Sequence, residues 1–260
     1  MQIPPFALPS NPERHITFRE ATVADCEQFA DSNPAHSERL TTKILNALQP
    51  VPEHYSNSGE WTIEDRVVAV FWYYSHTTID TSIHLPYACP HCGGEHDALV
   101  ELSKIAEGYQ SIQGASYRLI EHDGEQYEVR PLNGYAAEEL EILKAEAGDD
   151  KKSANYSRVE AIMKRHQVVS SIRPVEFRGT RDSLIKKMEK LVREMPLSSF
   201  EQLRKKVQEK HKEMTHGLPC ESSDGRTLLI TPPVGCDKEA GKTTRLRFPF
   251  LSSDYLPRLQ

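Results

Sequence analysis

Two cysteines separated by a proline and a histidine, and backed by two glycines, hold one stretch of this chain to very few local shapes: Cys89-Pro90-His91-Cys92-Gly93-Gly94. The proline fixes one backbone angle and the glycines supply conformations closed to other residues, so the segment bends into a knuckle that aims two thiolates at one point. The flanks agree. Thr81 to Tyr87 reads as extended chain running into the knuckle, and His96 to Leu102 as its return. Strand, knuckle, strand is the frame of a zinc ribbon, but zinc takes four ligands and this knuckle offers two sulfurs.

Five cysteines, Cys26, Cys89, Cys92, Cys220 and Cys236, are scattered over 260 residues, an odd number that argues against a disulfide framework. Cys26 reads as a small buried hydrophobe inside a helix. Cys220 and Cys236 are the remaining thiols that flank turns in β-like sequence, and they are the expected second half of the site. His96, His91, His84 and His216 stand as substitutes should one thiol fail to reach. A zinc held by Cys89, Cys92, Cys220 and Cys236 has no open position for water or substrate, so the expected cofactor is structural and closes a very long loop.

The rest of the chain reads as mixed α+β, helices interspersed with short antiparallel hairpins. Residues 1 to 14 are Pro-rich and polar and are expected to run extended over the surface, followed by a short strand from Ile16 to Glu20. Thr22 with Asp25 caps a helix near 23 to 31, and a second helix is expected near 35 to 48. Thr62 and Asp65 open a third, largely buried helix through Val67 to Tyr74, reaching about Thr78. Tyr117, Leu119, Tyr127 and Val129 make a second hairpin around Asp123-Gly124. An acidic helix at 135 to 147 ends at the polar break Gly148 to Ser153. Three helical segments follow. One runs from about 181 to 194 behind Thr180 as N-cap; the next is capped by Ser198 and Glu201. Thr227 to Thr231 and Arg245 to Phe250 are expected to pair as a C-terminal hairpin. The implied organisation is an α+β region at 1–148 with the knuckle, a helical region at 154–214, and a hairpin region at 215–260 that packs back on the knuckle.

Formal net charge is −6, which gives no general pull toward nucleic acid or anionic lipid. Residues 1 to 10 lack the basic and apolar blocks of a signal peptide, and no apolar run approaches the ~20 residues of a membrane span, so the expected location is a cytoplasm. Lys186, Lys187, Lys190, Arg204, Lys205 and Lys206 could gather into a local basic patch, which keeps a nucleic-acid-binding zinc ribbon as an alternative; Glu201 and Glu209 interleave and favour a solvated face. Enzyme signatures are partial. His36-Ser37-Glu38 upstream of Cys89-x-x-Cys92 resembles a zinc deaminase motif, but Ala88 stands where that motif has proline, and two glycines follow where it begins a helix. Gly241-Lys242-Thr243-Thr244 lacks the spacing and the following helix of a phosphate loop.

The order of these parts, with His216-Gly217-Leu218-Pro219-Cys220, Gly235-Cys236-Asp237-Lys238-Glu239 and Arg245-Leu246-Arg247-Phe248-Pro249-Phe250 near the end, resembles the baseplate-hub assembly proteins of contractile-tailed, T-even-like phages over about residues 15 to 256. The resemblance implies a non-enzymatic morphogenetic role in the infected host cytoplasm, with other phage tail or baseplate-hub proteins as partners and no membrane. Family members tend to carry a second C-x-x-C knuckle; here Glu239 stands at its second cysteine, which makes Cys220 the expected replacement.

Overall fold

The computed structural model describes residues 3–30, 36–50, 55–223 and 226–257. The chain folds as mixed α+β around two apolar cores.

The first core is organised by α3 (Ile63–Thr77). Its start is a complete capping box: the Asp65 amide donates to the Thr62 hydroxyl while the Thr62 amide donates to the Asp65 carboxylate. That cap settles a segment whose β-branched and aromatic run could equally suit a strand. Val68 to Tyr73 are all buried, so the helix is covered on every side.

Part of that cover is the N-terminal segment. It does not run over the surface as its prolines and polar residues lead one to expect. β1 (Phe6–Leu8) pairs antiparallel with β2 (Asn11–Ile16), and Ile3, Phe6 and Leu8 are buried. Phe6 stacks on Phe18 and lies against Trp72, whose indole N–H donates to the Pro4 carbonyl at 2.9 Å. Apolar residues too sparse to signal a core thus find one on the aromatic face of α3. The expected strand at 16 to 20 ends at Ile16. α1 (Val23–Ala30) and α2 (Ser37–Ala47) follow; residues 31 and 35, expected at their ends, lie outside the described residues. Cys26 is half-buried in α1.

β3 (Ser82–Ala88) and β4 (Glu95–Glu101) form the hairpin that carries the knuckle, in register from Ser82 opposite Glu101 to Ala88 opposite Glu95. β4 runs directly into the short helix α4 (Leu102–Ala106). The second hairpin, β5 (Arg118–His122) and β6 (Glu125–Val129), turns at Asp123 and Gly124 with φ of 50° and 80°. Both central residues with positive φ match the twist of the strands, which is what Asp-Gly supplies. A third strand, β7 (Ile172–Pro174), pairs with β6 and was not signalled by the sequence.

Helices α5 (Gly134–Ala147), α6 (Ala154–Ser171), α7 (Arg181–Glu194) and α8 (Leu197–Glu213) complete this part. The α7 cap forms as expected, with the Ser183 amide on the Thr180 hydroxyl. The α8 box does not form. That helix starts two residues earlier, after Pro196 and without a side-chain cap; Glu201 pairs with Arg204, and the Ser199 hydroxyl donates to Asp123. Val129, Val168, Val169, Met188, Leu203 and Val207 form the second core between β5–β7 and α6–α8.

The chain then returns to the first core. β8 (Cys220–Ser223), β9 (Arg226–Ile230) and β12 (Arg247–Phe250) make an antiparallel sheet in the order β12-β9-β8, with Phe248 and Phe250 buried against α3. Between β9 and β12 a small hairpin, β10 (Val234–Gly235) with β11 (Thr243–Thr244), projects the loop that bears Cys236. Where the chain passes from the first core to the second and back, Gln110 and Gly217 exchange both backbone hydrogen bonds, at 2.9 and 2.8 Å.

Candidate metal centre

The knuckle closes as its sequence dictates. The Cys89 amide donates to the Gly94 carbonyl and the Gly93 amide to the Cys89 carbonyl, both at 2.9 Å, with Gly93 at φ +69°. A side chain on Gly94 would stand 3.5 Å from the Cys92 sulfur and 3.0 Å from the Lys238 ammonium, so the small residue leaves room for the donors.

Across from it, the β10–β11 hairpin forms a comparable turn at Cys236. The Cys236 amide donates to the Lys242 carbonyl at 2.9 Å, and the Glu239 amide points at the Cys236 sulfur at 3.3 Å. This places Cys236 Sγ with Cys89 Sγ, Cys92 Sγ and a ring nitrogen of His96, all four donor atoms within 4.8 Å of one another. Metal–donor bonds of about 2.0–2.3 Å separate the corners of a tetrahedron by roughly 3.3–3.8 Å, so the set can close on one ion with small adjustments.

His96 is the member that the sequence offered only as a substitute. It faces Tyr87 across the β3–β4 ladder, on the inner face shared with Ala98 and Val100, and its ring stacks on Tyr87 at 5.6 Å. Period-two alternation from those buried residues was the signal that could have chosen it. Its side chain is 4% exposed. Nε2 lies 3.1 Å from the Cys92 sulfur, and Nδ1 lies 2.8 Å from the Asp237 carboxylate, next in sequence to Cys236. A carboxylate on the far nitrogen fixes the ring orientation and leaves Nε2 to the metal side, the usual outer support of a ligating histidine.

The electrostatics of the donors fit the same use. The hydrogen bond with His96, followed by the Gly94 amide, holds the Cys92 thiol down to about 6. Cys92 and then Asp237 push His96 above its ordinary value, and burial foremost pushes Cys236 up. A metal ion binding here would displace protons from the site.

The expected set was Cys89, Cys92, Cys220 and Cys236. Three of these gather; Cys220 does not. It sits at the start of β8, in register with Leu229; the residue as a whole is exposed, but its thiol is partly covered, and that burial, followed by the nearby Glu64, raises its pKa. β9 and the following hairpin carry Cys236 past that sheet, and the strand pairing fixes Cys220 within it. The other histidines have separate partners: His84 with Asp97, His91 with the Thr243 carbonyl, and His216 with Thr62. Glu38, the proton-shuttle position of the deaminase-like motif, pairs instead with the buried Arg66 at 3.0 Å.

The fold and the site together define a mixed α+β protein with a Cys3His cluster able to hold a metal ion, in which no helix among the described residues is long and apolar enough to cross a membrane. No family model, no curated protein and no solved structure matches this chain.

Proposed function

We propose that the protein is a non-enzymatic assembly factor that acts by contact with phage tail or baseplate-hub proteins in the host cytoplasm, its fold clamped by a structural zinc on Cys89, Cys92, His96 and Cys236. The observation that carries the clamp is the convergence of donors from two hairpins, with His96 and Asp237 in contact across 141 residues of chain. Soft thiolates with one imidazole favour zinc over hard cations, and four protein donors saturate it. Three thiolates on a divalent ion leave one net negative charge, which the neighbouring Lys238 ammonium offsets.

The assembly role rests on the sequence resemblance. The acidic net charge and the pairing of Arg204, Lys206 and Lys210 with groups of the protein itself support it over a nucleic-acid ribbon. Two measurements test the proposal. Metal analysis of the purified protein should give one zinc per chain. Co-expression with tail and hub proteins should give a complex that survives purification, with no salt-sensitive shift of labelled DNA or RNA. Zinc absent from protein purified without chelator removes the clamp; a nucleic-acid shift without a protein complex replaces the assembly role with the ribbon.

A further inference from the structure

A cleft of about 430 Å³ opens where the β5–β7 sheet meets the start of α7, a size within the range of small-molecule sites. Three guanidiniums line it, and three different segments deliver them: Arg130 just past β6, Arg173 within β7, and Arg181 as the first residue of α7. Glu60, which is exposed, is the one acid among the described residues of the lining. Phe177, Leu184 and Ile185, all half-buried, add apolar surface to the same walls.

Each guanidinium is anchored on one group and keeps donors to spare. Arg173 Nη2 donates to the Phe177 carbonyl at 3.0 Å, which holds the head group in place and leaves Nε and Nη1 without a partner among the described residues. Unlike the buried Nε atoms of Arg66 and Arg165, those two are open to solvent. Glu128 stands opposite Arg173 in the β6–β7 ladder but turns to Arg130, so Arg173 has no carboxylate within ion-pair distance among the described residues. Arg130 uses Nε and Nη2 on Glu128 and retains Nη1; Arg181 uses Nη2 on Glu139 and retains Nε and Nη1. Both of those carboxylates stand outside the lining, and the Arg130 and Arg181 side chains are 46% and 34% exposed. Asn133 adds a further donor: its Oδ1 accepts from the Ala136 amide at the start of α5, so its NH2 is the free end. Arginine is charged at any working pH, so these donors do not depend on a protonation state.

We propose that this cleft binds a small organic phosphate monoester, its phosphate held by Arg173 with Arg130, Arg181 and the Asn133 amide, and its apolar body on Phe177, Leu184 and Ile185. One guanidinium fork fills a carboxylate. A phosphate monoester offers three oxygens and about −1.5 to −2 charge, which several donors can share. The inference draws on neither the metal centre nor the assembly role, and it is tested apart from both.

The test titrates phenyl phosphate into the full-length, metal-loaded protein in phosphate-free buffer without free zinc, followed by calorimetry and by saturation-transfer NMR of the ring protons. Phenyl phosphate should bind saturably, and Arg173→Ala should weaken binding by about tenfold or more, the scale of one charge-assisted hydrogen bond. Arg173→Lys, which keeps the charge and loses the fork, should recover part of that loss. Arg130→Ala, at an exposed side chain, should weaken binding with the melting temperature unchanged. Benzoate and inorganic phosphate should each bind more weakly than phenyl phosphate. No binding at millimolar phenyl phosphate, or wild-type affinity in either alanine variant, would overturn the proposal. Benzoate binding as tightly would overturn the choice of phosphate, and inorganic phosphate binding as tightly would overturn that of an organic body. The peptide N-acetyl-Ala-phosphotyrosine-Ala-amide binding more than about tenfold tighter than phenyl phosphate would overturn the small-molecule assignment.

Discussion

Replacing Cys236 by serine separates the two hairpins at the metal centre, and the structure sets the size of the effect. Without that thiolate the remaining donors, Cys89, Cys92 and His96, all belong to the β3–β4 hairpin, so an ion bound there no longer joins it to the C-terminal segment. An ion that binds only the folded chain stabilises it by about 4.1 kcal/mol when free metal exceeds its Kd about a thousandfold. Most of that stabilisation goes if the residual site falls below saturation. For a chain of this size each kcal/mol moves Tm by about 2–4 °C, so Cys236→Ser should lower Tm by roughly 8–16 °C. The comparison is Cys220→Ser, at an exposed residue outside the cluster. A surface change of that kind is worth at most about 0.5 kcal/mol, or about 2 °C. Differential scanning fluorimetry with and without chelator, beside zinc analysis of each variant, reads both quantities. Chelator should bring wild type down to the Cys236→Ser value and leave that variant nearly unmoved. Loss of zinc from Cys220→Ser, or a Cys236→Ser protein with full zinc and wild-type Tm, would refute the reasoning.

Three further outcomes follow from single contacts. Asp237→Asn keeps the shape at His96 but removes the carboxylate charge on Nδ1, and should weaken zinc affinity about 10–100-fold in chelator competition while stoichiometry at saturating zinc stays at one. His166, buried beside Glu139 on α5 and between Arg165 of its own helix and Glu189 and Arg181 on α7, has its pKa lowered, chiefly by burial. The unfolded chain then takes up the proton first, so this stabilisation is present in full above about pH 6.5 and is lost as pH falls toward the folded value. Urea titrations from pH 8 to 5 should show a shallower loss of stability in His166→Gln than in wild type; parallel curves would remove His166 from the account. Thr62→Ala deletes the hydroxyl that accepts from the Asp65 amide and shares a hydrogen bond with the His216 ring, and should cost about 1–2 kcal/mol by chemical denaturation.

What the sequence disclosed divides by the range of the interaction that fixes it. The α3 cap, the Thr180 cap, the Asp123-Gly124 turn and the Cys89 to Gly94 knuckle are each decided within a few residues, and all form where the sequence places them. The N-terminal hairpin and β7 are decided elsewhere. Phe6 and Leu8 stand among prolines and polar residues, and only the distant aromatic face of α3 makes them core; Ile172 to Pro174 becomes a strand because β6 offers an open edge. Local pattern holds no trace of either partner.

The fourth ligand shows the same division inside one site. Choosing Cys220 ranked the remaining donors by chemistry, since sulfur was present and β-like sequence surrounded it. Strand register decides otherwise. Once β3 and β4 pair with Ala88 opposite Glu95, alternation puts His96 beside Tyr87 on the face that holds Ala98 and Val100, within reach of the knuckle. The same logic takes Cys220 out of reach, because its strand is paired to β9 at Leu229 and cannot turn toward the knuckle without breaking that ladder. Asp237 then follows from Cys236: a hairpin that delivers the thiol to one side of the imidazole carries the next residue's carboxylate to the other. A donor set is therefore selected by which side chains the backbone pairing already points inward, and sulfur content ranks candidates only among those.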